Sequence, residues 1–324
     1  MESQALFVVS SPLQLMNAIE AVHHFKVQEP ILLILYVDNP RTQEQMQKLK
    51  SMIPWHGSYS LALPQTLKGR LGFALAVKRL KKEMNLPSLR YIFVGDYEGD
   101  HMNHVVNSFE AKEVYLLDDG IVVTFYQEHQ KQTSLKVKIR HWIYRALGYD
   151  LGAIKHSFFT IYTLDYSPVV RNEYRFFKSY IDKKEQIKAL YFVGQPLVEL
   201  GIVSMSDYKE LLESIATHYR DQKRIYVGHR AQDRAVMEPI VEDLGFVYQE
   251  FSNPLELEMI FAEKVPSDFA TFYSTALMTL PYFVTEASYC LFEIPQEMIV
   301  PSFQERIALA YRALSSSGLP SIKL

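Results

Sequence analysis

The chain has one cysteine, Cys290, in 324 residues. A lone thiol excludes an internal disulfide and makes a reducing compartment the expectation. No apolar run approaches the ~20 residues needed to span a bilayer. Residues 1–11 lack the basic start, apolar core and cleavage site of a secretory signal, so the expected location is cytoplasmic. The formal charge is −3; a dedicated nucleic-acid binder would be basic, so no nucleic-acid partner is expected. The sequence has no Asp-x-Asp, no His-x-x-x-His and no cysteine cluster. No resident metal or other cofactor is therefore expected. The glycine spacings of dinucleotide and P-loop sites, and the Gly-x-Ser-x-Gly elbow of serine hydrolases, are also missing.

What is present is a balance of 48% apolar and 22% charged residues, with 21 Tyr and 19 Phe. This suits a globular chain of two ordinary domains. Short apolar runs alternate with helical patterns. Ala5–Ser11 reads as a strand, and Pro12–Phe25 as a helix with Ser11 as N-cap and Pro12 at its first position. Strands at Ile31–Val37, Tyr91–Tyr97 and Glu113–Leu117 are interleaved with helices at Thr42–Ile53 and Arg70–Met84. Lys136–Leu147 and Pro168–Lys184 read as further helices, and Lys183–Gln186 as a linker. A second alternating series starts at Leu190–Val193. It continues with strands at Arg224–Val227, Phe246–Phe251, Phe269–Tyr273, Phe283–Tyr289 and Leu291–Ile294, and closes with a helix at Phe303–Leu314. Such alternation predicts an α/β fold of two Rossmann-like, doubly wound domains facing a cleft. The expected division is 1–185, 186–300 and a closing helical segment, 301–324.

Three polar segments fall where apolar strands stop. Asp118-Asp119-Gly120 sets two carboxylates at a tight turn. Strand alternation turns one Asp to a cleft and the other to bracing the turn. A cleft carboxylate can take the proton of an attacking sugar hydroxyl; the same tripeptide also makes a plain turn. Gly228-His229-Arg230 puts an imidazole and a cation where they can meet a phosphate. A surface histidine beside a surface arginine is the plainer alternative. Ser274-Thr275 precedes a short helix and suits a phosphate or an unliganded N-cap. Gly194-Gln195 and Glu199 follow the first strand of the second half, as a sugar contact, a second carboxylate or a bland loop. The helix Arg70–Met84 sets Lys78, Arg79, Lys81 and Lys82, with the neighbouring Lys68, against Leu71, Phe73, Leu75 and Val77. It reads first as a solvated face and second as a surface for an anionic membrane.

Taken in order, these segments resemble the bacterial sialyltransferase and polysialyltransferase group, above all the lipooligosaccharide sialyltransferase family. That family carries an acidic pair before glycine, a His-Pro and a Ser-Ser or Ser-Thr motif. The matches are Asp118-Asp119-Gly120, His229-Arg230 and Ser274-Thr275. Ser10-Ser11-Pro12-Leu13-Gln14 resembles its first strand-to-helix turn, and Gly194-Gln195-Pro196 its nucleotide-domain loop. Arg230 stands where the family has proline, which sets a cation beside the donor phosphate.

The resemblance implies a GT-B fold and an inverting, metal-independent transfer. The donor would be CMP-sialic acid and the acceptor an oligosaccharide or glycolipid of the bacterial surface, with peripheral contact at the inner membrane. It implies Asp118 or Asp119 as base, with Glu199 in reserve, and His229 on the leaving phosphate. Gly194, Gln195, Gly228, Arg230, Ser274 and Thr275 would lie about the CMP group, and Ser10, Ser11, Gln14 and Gly120 on the acceptor side. The alternatives are a GT-B transferase using CMP-Kdo or a nucleotide diphosphate sugar, and a non-catalytic glycan or nucleotide binder of the same fold.

Overall fold

The computed structural model describes residues 4–36, 38–86, 89–96, 99–119, 135–164, 168–315 and 318–324. The chain divides into two compact units, Met1–Phe176 and Phe177–Leu324.

The first unit is built on a seven-stranded sheet in the order β3-β2-β1-β4-β5-β6-β7. Its strands are β1 (Gln4–Val9), β2 (Glu29–Tyr36), β3 (Gly57–Ala62), β4 (Leu89–Val94), β5 (Ala111–Leu117), β6 (Ser157–Thr160) and β7 (Val169–Arg171). Every pairing is parallel. β1 and β2 read as unbroken apolar runs because both their faces are covered. β3, an edge strand, alternates half-buried with exposed residues. The helices are α1 (Pro12–His24), α2 (Pro40–Lys50), α3 (Leu67–Met84), α4 (Asp100–Ser108), α5 (Leu135–Ala146) and α6 (Arg175–Ile181), the last crossing the unit boundary. α1 starts as its sequence predicts, with the Ser11 hydroxyl accepting from the Gln14 amide and Pro12 in the first turn.

The second unit repeats the plan with six parallel strands in the order β10-β9-β8-β11-β12-β13. They are β8 (Glu185–Val193), β9 (Lys223–Gly228), β10 (Val247–Glu250), β11 (Lys264–Thr271), β12 (Ser288–Glu293) and β13 (Ser321–Lys323). Helices α7 (Met205–His218), α8 (Arg234–Asp243), α9 (Leu255–Phe261), α10 (Ala276–Thr279) and α11 (Pro301–Ser315) complete it. Its core is aromatic, with Phe192, Tyr208, Tyr226 and Phe272 fully enclosed.

Three local expectations are corrected. Pro168–Lys184 is not one helix. The β-branched pair Val169-Val170 joins β6 as a strand. Tyr174 then turns the chain in the left-handed region, φ 48°, before the short α6. Lys183–Gln186 is not a linker: β8 begins at Glu185. The Lys184 ammonium donates to the carbonyls of Met259, Ile260 and Ala262, where a cation offsets the negative end of α9. Phe283–Tyr289 is not a strand. Leu280-Pro281 opens a 3-10 turn, the amides of Phe283 and Val284 bond back to Leu280, and the ladder resumes only at Ser288. Gly120 lies outside the described residues.

Candidate functional site

Each sheet reverses its strand order once, between β1 and β4 in the first unit and between β8 and β11 in the second. In open parallel sheets such a reversal leaves a crevice beyond the carboxyl ends of the strands, because the adjoining helices leave on opposite faces. Of the expected site residues, Ser10, Ser11, Gln14 and Asp119 lie together near the first reversal, and Gln195 and His229 are joined through Gln232 near the second.

In the first unit, Gln14 projects from the first turn of α1 into the reversal. Its Oε1 accepts from the Ser10 amide at 2.7 Å and the Ser10 hydroxyl at 3.2 Å. Gly95, just past β4, makes room for it: a Cβ there would lie 2.2 Å from that oxygen. Gln14 also hydrogen-bonds the Asp119 carboxylate, and the Ser11 hydroxyl donates to Asp119 Oδ1 at 3.4 Å. Asp119 is exposed on one side, yet enough protein crowds it that desolvation, the largest influence, lifts its pKa. The bonds from Gln14 and Ser11 pull it partly back. The result is an accessible carboxylate, more basic than a free one, held at the positive end of a helix.

Asp118 does the bracing. It is 3% exposed; its Oδ2 accepts from the Ile161 amide at 2.9 Å, and its own carbonyl accepts from Asn17 Nδ2 at 2.9 Å. Burial pushes its pKa up to about 7, against the opposing pull of Thr160, the Ile161 amide and Arg171. Its Oδ1 has no hydrogen-bond partner among the described residues. Asn17 Oδ1 in turn accepts from Asn172 Nδ2 at 3.0 Å and the Tyr174 hydroxyl at 2.6 Å. This buried network fixes the strand end that carries Asp119. The sequence does not mark Asn17, Thr160, Asn172 and Tyr174; the one available signal is the polar set Gln14, Asn17 and Glu20, at three-residue spacing among the buried residues of α1.

Beside Ser10 a cavity of about 800 Å³ opens at the ends of β2 and β3. Tyr36, Asp38, Gln43, Glu44 and Ser60 line it, and no Lys, Arg or His is among its lining residues. Hydroxyls, amides, carboxylates and one aromatic ring suit a neutral polyhydroxylated ligand, whereas the two acids oppose an anion.

In the second unit, Gln195 occupies the reversal. Its side-chain oxygen accepts from the Tyr273 amide at 2.9 Å and from Thr271 Oγ1 at 3.2 Å, tying the β8 and β11 ends together. Gly194 sits against Tyr226; a Cβ would lie 2.5 Å from the phenol ring. The Tyr226 hydroxyl bonds Tyr208 at 2.7 Å and accepts from Gln232 Nε2 at 2.7 Å. Gln232 also donates to the Gln195 carbonyl and accepts from the His229 amide at 2.9 Å. Gln232, Tyr208 and Tyr226 were likewise unforeseen, and they set the loop that presents His229.

His229 stands just past β9 and is half-buried. Its Nδ1 accepts from the Ala231 amide at 3.1 Å, so the neutral ring carries its proton on Nε2. Desolvation first, then the Arg230 charge, lowers its pKa, while Glu199 opposes them. At neutral pH the ring therefore serves as an N–H donor. Gly228 allows Tyr248 to pack close; a Cβ there would lie 2.2 Å from its hydroxyl. Arg230 is exposed. Glu199 is exposed too, and its Oε1 accepts from the Asp233 amide at 3.3 Å near the start of α8. Ser274 Oγ accepts from the Ala276 amide at 3.4 Å, and Thr275 is exposed with no side-chain capping bond.

No protein-family model matches the chain, and no curated protein matches it in sequence. Solved structures do. The UDP-GlcNAc 2-epimerase of Methanocaldococcus jannaschii aligns over 95% of this chain and 91% of its own, with 10% identity and a TM-score of 0.54. The UDP-GlcNAc 2-epimerase of Neisseria meningitidis, bound to UDP-GlcNAc, aligns over 97% and 91%, with 10% identity and a TM-score of 0.51. At this identity the likeness is one of fold: two parallel-sheet, Rossmann-like domains of the GT-B type.

Proposed function

We propose that the chain is a glycosyltransferase that moves a sugar from a nucleotide donor, bound at the reversal of the second unit, to a glycan hydroxyl bound at that of the first. What supports this is the pairing of functions: an accessible, basicity-raised carboxylate, Asp119, near the strand-order reversal of the first unit, and a neutral imidazole N–H, that of His229, just past β9 in the second. Asp119 takes the proton of the acceptor hydroxyl as its oxygen attacks the anomeric carbon. The bond from that carbon to the phosphate oxygen breaks, and charge grows on the phosphate. His229 Nε2–H, with Arg230 and the Ser274 and Thr275 hydroxyls, meets that charge. One displacement inverts the anomeric centre. Asp118, buried and bonded inward, holds the turn, and Glu199 assists the loop. The cavity beside Ser10 receives the acceptor, an oligosaccharide or the sugar of a glycolipid.

For the donor we favour CMP-sialic acid. The motif order supports it, as does the single phosphodiester charge, which His229 and Arg230 can offset. We therefore expect activity to persist in EDTA. A UDP-sugar donor is the second reading, favoured by the fold shared with enzymes of UDP-GlcNAc. Thermal-shift titration with CMP and UDP separates them: stabilisation by CMP supports the first, and stabilisation by UDP alone supports the second.

A further inference from the structure

We propose that the first unit docks on an anionic lipid bilayer through the outer faces of α3 and α5. The two helices are neighbours: the Arg70 guanidinium lies 4.7 Å above the Tyr144 ring, and Ala74 packs beside Gly148. Each helix turns large apolar side chains to water. On α3 these are Leu67, Leu71 and Leu75, 57, 45 and 48% exposed. Spaced by four, they form one stripe over two turns. Phe73 and Val77 of the same helix point the other way, into the core. On α5, Ile139 and Trp142 are 53 and 73% exposed, and Ile143 borders them. Exposed side chains of this size on two neighbouring helices call for a partner.

Charge says which partner. The α3 stripe continues through exposed Lys78 and Lys82, flanked by Lys68, Arg79 and Lys81. Counted in sequence, α3 holds six Lys or Arg and α5 four, against Glu83 alone, in a chain whose formal charge is −3. At the basic end of α3, Lys78, Lys81 and Lys82 line a cavity of about 440 Å³ together with Leu86, Phe109 and Glu110. Exposed apolar side chains followed along α3 by ammonium groups, with an exposed indole on the neighbouring helix, match the headgroup–acyl boundary of an anionic membrane. No described helix is long and apolar enough to cross a membrane, so the contact is one that lies on the surface. The inference does not depend on the donor or on the reaction proposed above.

Flotation with vesicles of phosphatidylcholine alone, or mixed with phosphatidylglycerol, tests it. The full chain should float with the mixed vesicles and not with phosphatidylcholine, and Trp142 emission should shift to the blue. Lys78→Glu with Lys82→Glu should weaken partitioning on the order of 10²-fold. Leu71→Glu with Trp142→Glu should abolish it, with an unchanged urea midpoint. Equal binding to both vesicles, no binding to either, or concentration-dependent self-association that Leu71→Glu with Trp142→Glu removes while vesicles stay bare, would each overturn the proposal.

Discussion

Replacing Asp118 with Asn should change how stability depends on pH. In the folded chain the Asp118 carboxyl titrates near 7, against an ordinary 3.8, chiefly because it is buried. Between those values the native state holds a proton that the unfolded chain has released, so stability falls as pH rises through the window. Below about 4 both states are protonated and the penalty vanishes. At about 1.4 kcal/mol per tenfold, the displacement corresponds to roughly 4 kcal/mol lost by pH 7. Asn cannot ionise, and its carbonyl can still accept from the Ile161 amide. The assay is urea unfolding followed by tryptophan emission. Both tryptophans, Trp55 and Trp142, belong to the first unit, so the signal reports that unit alone. The Asp118→Asn curve should diverge upward from wild type between pH 4 and pH 7. Parallel curves across that range would refute the assignment of Asp118 as a buried, proton-holding brace.

Asp119→Asn should lower turnover by about 10²–10⁴ with little effect on the urea midpoint. In wild type, the acid limb of kcat/KM should lie above the ordinary carboxylate value of 3.8, because crowding raises this group. His229→Ala should cost about 10²–10³ in kcat. Wild-type activity should hold as pH rises past 6.5, since the His229 pKa is lowered and the neutral ring is the donor; a fall there in kcat would assign the work to the imidazolium. Gly194→Ala should destabilise the second unit by about 1–3 kcal/mol, since the added methyl meets the Tyr226 ring. Calorimetry showing a wild-type melting profile would remove that constraint.

The alternating pattern of apolar runs and helical spacings was enough to read two doubly wound domains, because parallel strands buried on both faces are apolar throughout. It failed where tertiary partners decide. Val169-Val170 becomes a strand only because β6 is there to pair with it. Lys184 loses its linker character only because the end of α9 supplies carbonyls. At the candidate site, the polar residues just past strands β1, β5, β8 and β9 were legible from where the apolar runs stop. The division of labour between Asp118 and Asp119 was legible only as an either-or. Burial and the Ile161 amide set Asp118 inward, while Asp119 is exposed, and the proposed base is chosen on that difference. The supporting layer of Asn17, Asn172, Tyr174, Gln232 and Tyr226 was not legible. Those contacts join residues up to 157 positions apart, and no local pattern marks them.

Transfer from a nucleotide sugar is the reaction proposed for Asp119 and His229. The most direct test is nucleotide release from CMP-sialic acid and from UDP-sugars, measured over a panel of glycan acceptors with wild type, Asp119→Asn and His229→Ala. Wild type should release CMP in an acceptor-dependent way, and both variants should lose that release. Release that both variants retain, or none from any donor with any acceptor, would contradict the proposed reaction.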